Sequence, residues 1–181
     1  SFLNEIMPLF AKAGCNSGGC HAKPEGQNNF KLSVFGFDPQ LDYNEIVHDA
    51  HGRRLFFAAP EESLLLLKAT GSVPHEGGSR FTKDSEVYRK VLDWIQQGAP
   101  FDPPETPRLK EIKVAPKQPT LQPKAQTSLR VTAFYTDGSH KDVTHLALYS
   151  STDKELVAVE ESGLLKAGQL RGETVVVVNY M

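Results

Sequence analysis

Cys15, Cys20 and His21 stand in the stretch AGCNSGGCHAKPEG, residues 13–26, which holds both cysteines of the chain. Two thiols and an imidazole at this spacing fit three chemistries. A disulfide can close such a loop, and small extracellular domains often carry one, but it gives His21 no task. Zinc takes Cys and His ligands, but adjacent Cys20 and His21 rarely reach one tetrahedral centre together, and no second ligand pair follows. Covalent haem c is the third. Its usual signature is Cys-x-x-Cys-His, with the thiols bonded to the porphyrin and the histidine to iron. Cys20 and His21 are neighbours as that chemistry requires, and four residues instead of two separate the thiols. Gly18 and Gly19 are small and tolerate unusual dihedrals, so the added length can loop out.

The elements that must position these residues fall into two segments. Over 1–102 the spacing of Phe2, Leu3, Ile6, Leu9 and Phe10 predicts an amphipathic helix that also holds Met7. PEESLLLLKAT opens with Pro60 and acids and carries Lys68 near its end, which predicts a second helix. KDSEVYRKVLDWIQQGAP predicts the best helix of the chain. Asp84 or Ser85 caps it, Val87, Val91, Leu92, Trp94 and Ile95 form its apolar stripe, and Gly98 with Pro100 ends it. Phe30, Leu32, Val34, Phe35, Phe37, Leu55, Phe56 and Phe57 supply an apolar wall for a cofactor or a plain core. The proline-dense stretch 103–108 reads as a stiff linker. From 109 to 181 the period changes to two, with Asp137-Gly138 as a hairpin signal and several short strands, which predicts a β-sandwich.

Composition narrows the function. The 181 residues suit one large domain or two small ones, and a net charge of −2 gives no basic footprint for nucleic acid. The apolar runs at Leu64–Leu67 and Val175–Val178 are too short to span a bilayer. No secretory leader stands at Ser1, and the chain starts without Met and stops inside an apolar run. Further domains of a longer polypeptide are therefore expected. No paired carboxylates, nucleophile with a base or phosphate loop stands out, so no enzyme is expected.

Three blocks in order, FAKAGCNSGGCHAKPEGQNNFKLSVFGFDP, RLFFAAPEESLLLLKAT and VYRKVLDWIQQGAPFD, resemble the cytochrome c domain of large secreted planctomycete-type proteins. LKEIKVAPKQPTL, LRVTAFYTDGSHKDVTHLALYSSTDKELVAVEESGLLKAG and GETVVVVNY resemble a bacterial Ig-like domain of group 2. Together they imply two domains: a mostly α, class I cytochrome c-like domain and an all-β Ig-like sandwich. The first implies covalently bound haem c held by Cys15 and Cys20, with His21 on iron, and electron transfer to an unidentified redox partner. The second implies a spacer or adhesive module. Both imply a periplasmic or cell-surface location.

Relatives of the first family place a Met-Pro pair before the last helix as the sixth iron ligand, and here Val73 stands at that methionine. Met7 belongs to an apolar helix face and Met181 to the second segment. His75 lies two positions on in a glycine-flanked loop and is the expected distal ligand. His48 and His51 are its rivals, at a spacing that suits one helical face. Arg53 and Arg54 offer bidentate forks for haem carboxylates. His140 and His145 read as surface. Without a distal ligand the same domain would suit a haem-based sensor or small-ligand-binding module.

Overall fold

Apolar spacing makes the amino-terminal segment helical. In the computed structural model, which describes residues 1–181, a wide turn over Phe2–Ile6 runs into α1 (Met7–Lys12). Pro8 accounts for the widened turn, because it has no N–H to give to the preceding turn and its ring crowds the carbonyl there. Phe2, Leu3, Ile6, Met7 and Phe10 point inward and are buried. They meet α4 (Glu86–Gln96), whose Val91, Trp94 and Ile95 are also buried. The Ser85 side chain accepts the Tyr88 N–H at 3.1 Å and caps α4, a contact worth about 1 kcal/mol. Gly98, at φ +86°, ends the turn that follows. The Phe2 ring lies 5.4 Å from Trp94 and 5.2 Å from Tyr43. Tyr43 stands on α2 (Pro39–Val47), whose first turn is capped by Asp38. Burying each of these large side chains contributes roughly 1.5–3 kcal/mol.

The segment from Pro60 to Thr70 departs from the continuous helix expected of it. A 3-10 turn over Pro60–Glu62 stops at Ser63, which is extended at ψ 129°, and α3 (Leu64–Ala69) starts only after it. The buried Ser63 hydroxyl accepts the Phe56 N–H at 2.9 Å, and this tie to the preceding loop breaks the helix.

The chain divides into two compact units, one of Ser1–Thr106 with the terminal Met181, the other of Pro107–Tyr180. Met181 therefore groups with the first unit, contrary to its place in the sequence. In the second unit β1 (Leu109–Ala115) pairs antiparallel with β3 (Arg130–Tyr135), and β3 pairs with β4 (His140–Asp142) across the Asp137-Gly138 turn. β2 (Gln126–Ser128), β7 (Leu164–Ala167) and β6 (Val157–Val159) form a second sheet, and β5 (Leu148–Ser151) with β8 (Val176–Asn179) a third. Val131, Ala133 and Tyr135 alternate inward along β3 and are buried with Val143, Ala147 and Leu165.

This architecture corrects the expected fold class. Helix covers only 25% of the chain and strand 20%, so the first unit is not a mostly α cytochrome c-like domain. Its α-helices hold 6, 9, 6 and 11 residues, and loops with left-handed turns join them. The second unit is three small antiparallel sheets and not an Ig-like two-sheet sandwich. Its strands of three to seven residues pair only as β1-β3-β4, β2-β7-β6 and β5-β8. No helix of the chain is long and apolar enough to cross a membrane.

Candidate functional site

The loop after α1 folds back on itself. Cys15 N–H bonds to Phe10 O at 2.9 Å, Cys20 N–H to Ser17 O at 3.0 Å, and His21 N–H to Cys15 O at 3.1 Å. These turns bring Cys15, Cys20 and His21 to the wall of one cavity of about 1000 Å³, at the upper end of the range for small-molecule sites. Both thiols are free. Burial pushes the Cys15 thiol up to about 12, against the opposing pull of Arg80. Gly18 and Gly19 are exposed at the crest of the loop, and neither has left-handed φ. The extra residues thus loop out without the unusual dihedrals expected of them.

His21 is fixed by a second turn. Gln27 and Phe30 pair across left-handed Asn28 and Asn29, which sets the Phe30 ring 4.4 Å from the imidazole. His21 Nδ1 lies 3.1 Å from Phe30 O. A carbonyl only accepts, so Nδ1 carries the proton and Nε2 keeps its lone pair. Burial lowers the pKa of His21 against the bond to Phe30 O, which raises it, and the net lowering favours the neutral, ligating imidazole.

His75 stands on the facing wall. Its loop is tied to α3 by Val73 N–H on Leu67 O at 3.3 Å, by Lys68 Nζ on Pro74 O at 2.5 Å and by Arg80 N–H on Ala69 O at 2.7 Å. His75 Nδ1 lies 2.8 Å from Gly78 O, so this ring too keeps its Nε2 lone pair. A Cβ on Gly77 would come 3.1 Å from His75 Cε1, so glycine lets the loop pack closely against the ring. The two imidazoles are parallel to within 10°, with centroids 6.2 Å apart. The exposed side chains of Gln27 and Glu76 hydrogen-bond to each other and tie the two walls together.

The remaining candidates separate. Arg54 lines the cavity, but its guanidinium serves the wall: it donates to Glu45 O at 2.5 Å, Asp49 O at 3.1 Å and Asn29 O at 2.8 Å, and lies over the Phe30 ring at 4.4 Å. Burial lowers its pKa. Arg53 is exposed and lines the cavity. His48 and His51 are exposed and lie outside the cavity wall, as do Val73 and the buried Met7. His140 and His145 are exposed in the second unit. Of the expected apolar wall only Phe30 and Leu32 line the cavity. Leu55 is buried, Phe37 is 91% exposed, and Val34, Phe56 and Phe57 are about half exposed. Phe10, Leu64, Leu65, Ala69 and Phe81 take their place.

Sequence reasoning missed Arg80, whose Nη2 donates to Cys20 Sγ at 2.9 Å. Its position after a glycine pair in the His75 loop was the available signal. No three His, Cys, Asp or Glu side chains gather as a cage for a metal ion. The two imidazoles, each with a free Nε2 lone pair, line one cavity of about 1000 Å³ that has room for a large planar group. Neither a family model nor a curated protein matches the chain.

Proposed function

We propose that the first unit is a c-type cytochrome module that binds haem covalently and carries electrons. Cys15 and Cys20 would hold the porphyrin as thioethers, and His21 and His75 would ligate its iron. The parallel pair of imidazoles, 6.2 Å apart and each fixed through Nδ1 to a carbonyl, carries the proposal. Such outer bonds orient ligating histidines and raise their basicity. The cavity volume and its walls of Phe10, Phe30, Leu65 and Phe81 suit a flat apolar group. Haem supplies a one-electron couple when bound. His21 and His75 would both be taken up as ligands of that haem iron and would leave it no open position for a substrate, which favours a carrier over an enzyme. Two imidazoles give a lower reduction potential than a methionine–histidine pair, since methionine raises it.

Attachment of haem c takes place outside the cytoplasm, which puts the protein in the periplasm or at the cell surface. The second unit then serves as a spacer or adhesion module of an exported protein, and the redox partner is a separate protein. The test is expression alongside haem-attachment machinery. The mass should rise by one haem per chain, and a pyridine haemochrome should show two thioether bonds. A bare polypeptide mass refutes the proposal. His75→Ala should turn a low-spin spectrum high-spin and open the iron to carbon monoxide. An unchanged spectrum removes His75 as ligand.

A further inference from the structure

Charge is distributed unevenly in the first unit. Residues 1–106 hold ten Lys and Arg against fourteen Asp and Glu. Yet Lys23, Arg53, Arg54, Lys68 and Arg80 line the cavity, and Glu76 is the one acid among the lining residues. Of the five, Arg80 contacts a cysteine of the haem-motif loop. Its backbone is fixed to the last residue of α3 through Ala69 O. Its Nη2 reaches Cys20 Sγ at 2.9 Å and would lie 3.9 Å from a Cβ on Gly14, while its Nε would lie 3.6 Å from a Cβ on Gly77. The guanidinium therefore stands between the loop that carries His21 and the loop that carries His75. It is half-buried, and its side chain makes one polar contact, to sulfur. Arg54 differs, since three carbonyls and Glu45 balance its charge.

We propose, resting on the haem site above, that Arg80 is a positioning residue whose uncompensated charge raises the reduction potential of that site. A cation beside a poorly solvated centre favours the state with one more electron, because little water screens it. The thioether edge of the cofactor, where Cys20 sits, is thereby the electropositive edge. Charge and not shape is the active property, so lysine should substitute and neutral side chains should not.

Arg80→Gln, Arg80→Met and Arg80→Lys are compared with the wild-type chain, with Arg89→Gln on the exposed face of α4 as control. Haem per chain is read by mass and midpoint potential by redox titration. At the wild-type midpoint, the neutral variants should show an oxidised-to-reduced ratio raised about tenfold, or about 59 mV for a one-electron couple. Arg80→Lys should stay within about twofold, and Arg89→Gln should not move. An unmoved midpoint in the neutral variants, or an equal displacement in Arg80→Lys, overturns the proposal. If the neutral variants take up no haem, a loaded Arg80→Lys supports the need for charge and an unloaded one overturns it. A wild-type chain without haem defeats the haem site itself, whereas a loaded wild type with unmoved variants defeats only the role of Arg80.

Discussion

All four buried polar or charged residues, Asn16, Asp42, Arg54 and Ser63, belong to the first unit, and the second unit has none. Backbone strain divides the same way. Within 1–106 six non-glycine residues hold left-handed dihedrals, against one, Lys124, within 107–180. In the second unit antiparallel ladders absorb the backbone polar groups, and alternation buries the apolar side chains. In the first unit side chains do the work of ladders. Arg54 collects three carbonyls, Asp42 accepts Ser33 N–H and Oγ–H, and Ser63 takes Phe56 N–H. Such strain persists only where the surroundings over-determine it. Asn28, Asn29 and Ala50 are left-handed and line the cavity, so whatever fills the cavity should bear on that stability.

The largest effect should come from replacing both thiols. Cys15→Ser with Cys20→Ser should abolish the proposed covalent attachment of haem and speed amide exchange across 1–106 of the matured chain at least about tenfold, while 107–180 exchanges as before. Equal exchange in both units would erase the contrast. The second effect is titration. Burial, reinforced by Asp38 and Glu45, pushes the Asp42 carboxyl up to about 6 from an ordinary 3.8, although Ser33 opposes the shift. The folded state therefore holds this proton more tightly than the unfolded one. Its contribution is full below pH 3.8 and lost as pH rises through about 6. The loss is ~2–3 kcal/mol. Asp42→Asn should remove that part of the fall in unfolding free energy with pH, and parallel curves for the two proteins would deny it.

A smaller gain is expected at Asn16, which is fully buried with neither amide atom hydrogen-bonded. Asn16→Leu should raise the stability of the first unit by about 1 kcal/mol in urea melts, because an apolar side chain of similar size leaves no polar atom unpaired. Destabilisation would mean that the amide has a partner in solution. The smallest effect belongs to Gly18→Ala and Gly19→Ala, where an added Cβ meets nothing within 4 Å. Stability and haem uptake should hold within about 0.5 kcal/mol.

Local chemistry was legible. Ser85 and Gly98 mark the ends of α4, Asp137-Gly138 marks the β3–β4 turn, and the Cys15, Cys20 and His21 spacing gathers three side chains on one cavity. What depends on distant partners was not. Arg80 reaches a sulfur sixty positions earlier, Ser63 interrupts a helical pattern for an amide seven residues back, and β2 pairs with β7 across most of the second unit. The fold class failed for a related reason. Motif blocks in family order imply a mostly α first domain, whereas Pro8, Ser63 and the left-handed loops hold the helices to eleven residues or fewer.

The open crest at Gly18 and Gly19 has a practical consequence. Gly18 is exposed and stands between Cys15 and Cys20, which line the cavity, so a linker fixed there would disturb no packed atom and would sit a few bonds from the proposed haem. With the proposed haem in place, wiring the protein to an electrode at that point should give a short, oriented electrical contact.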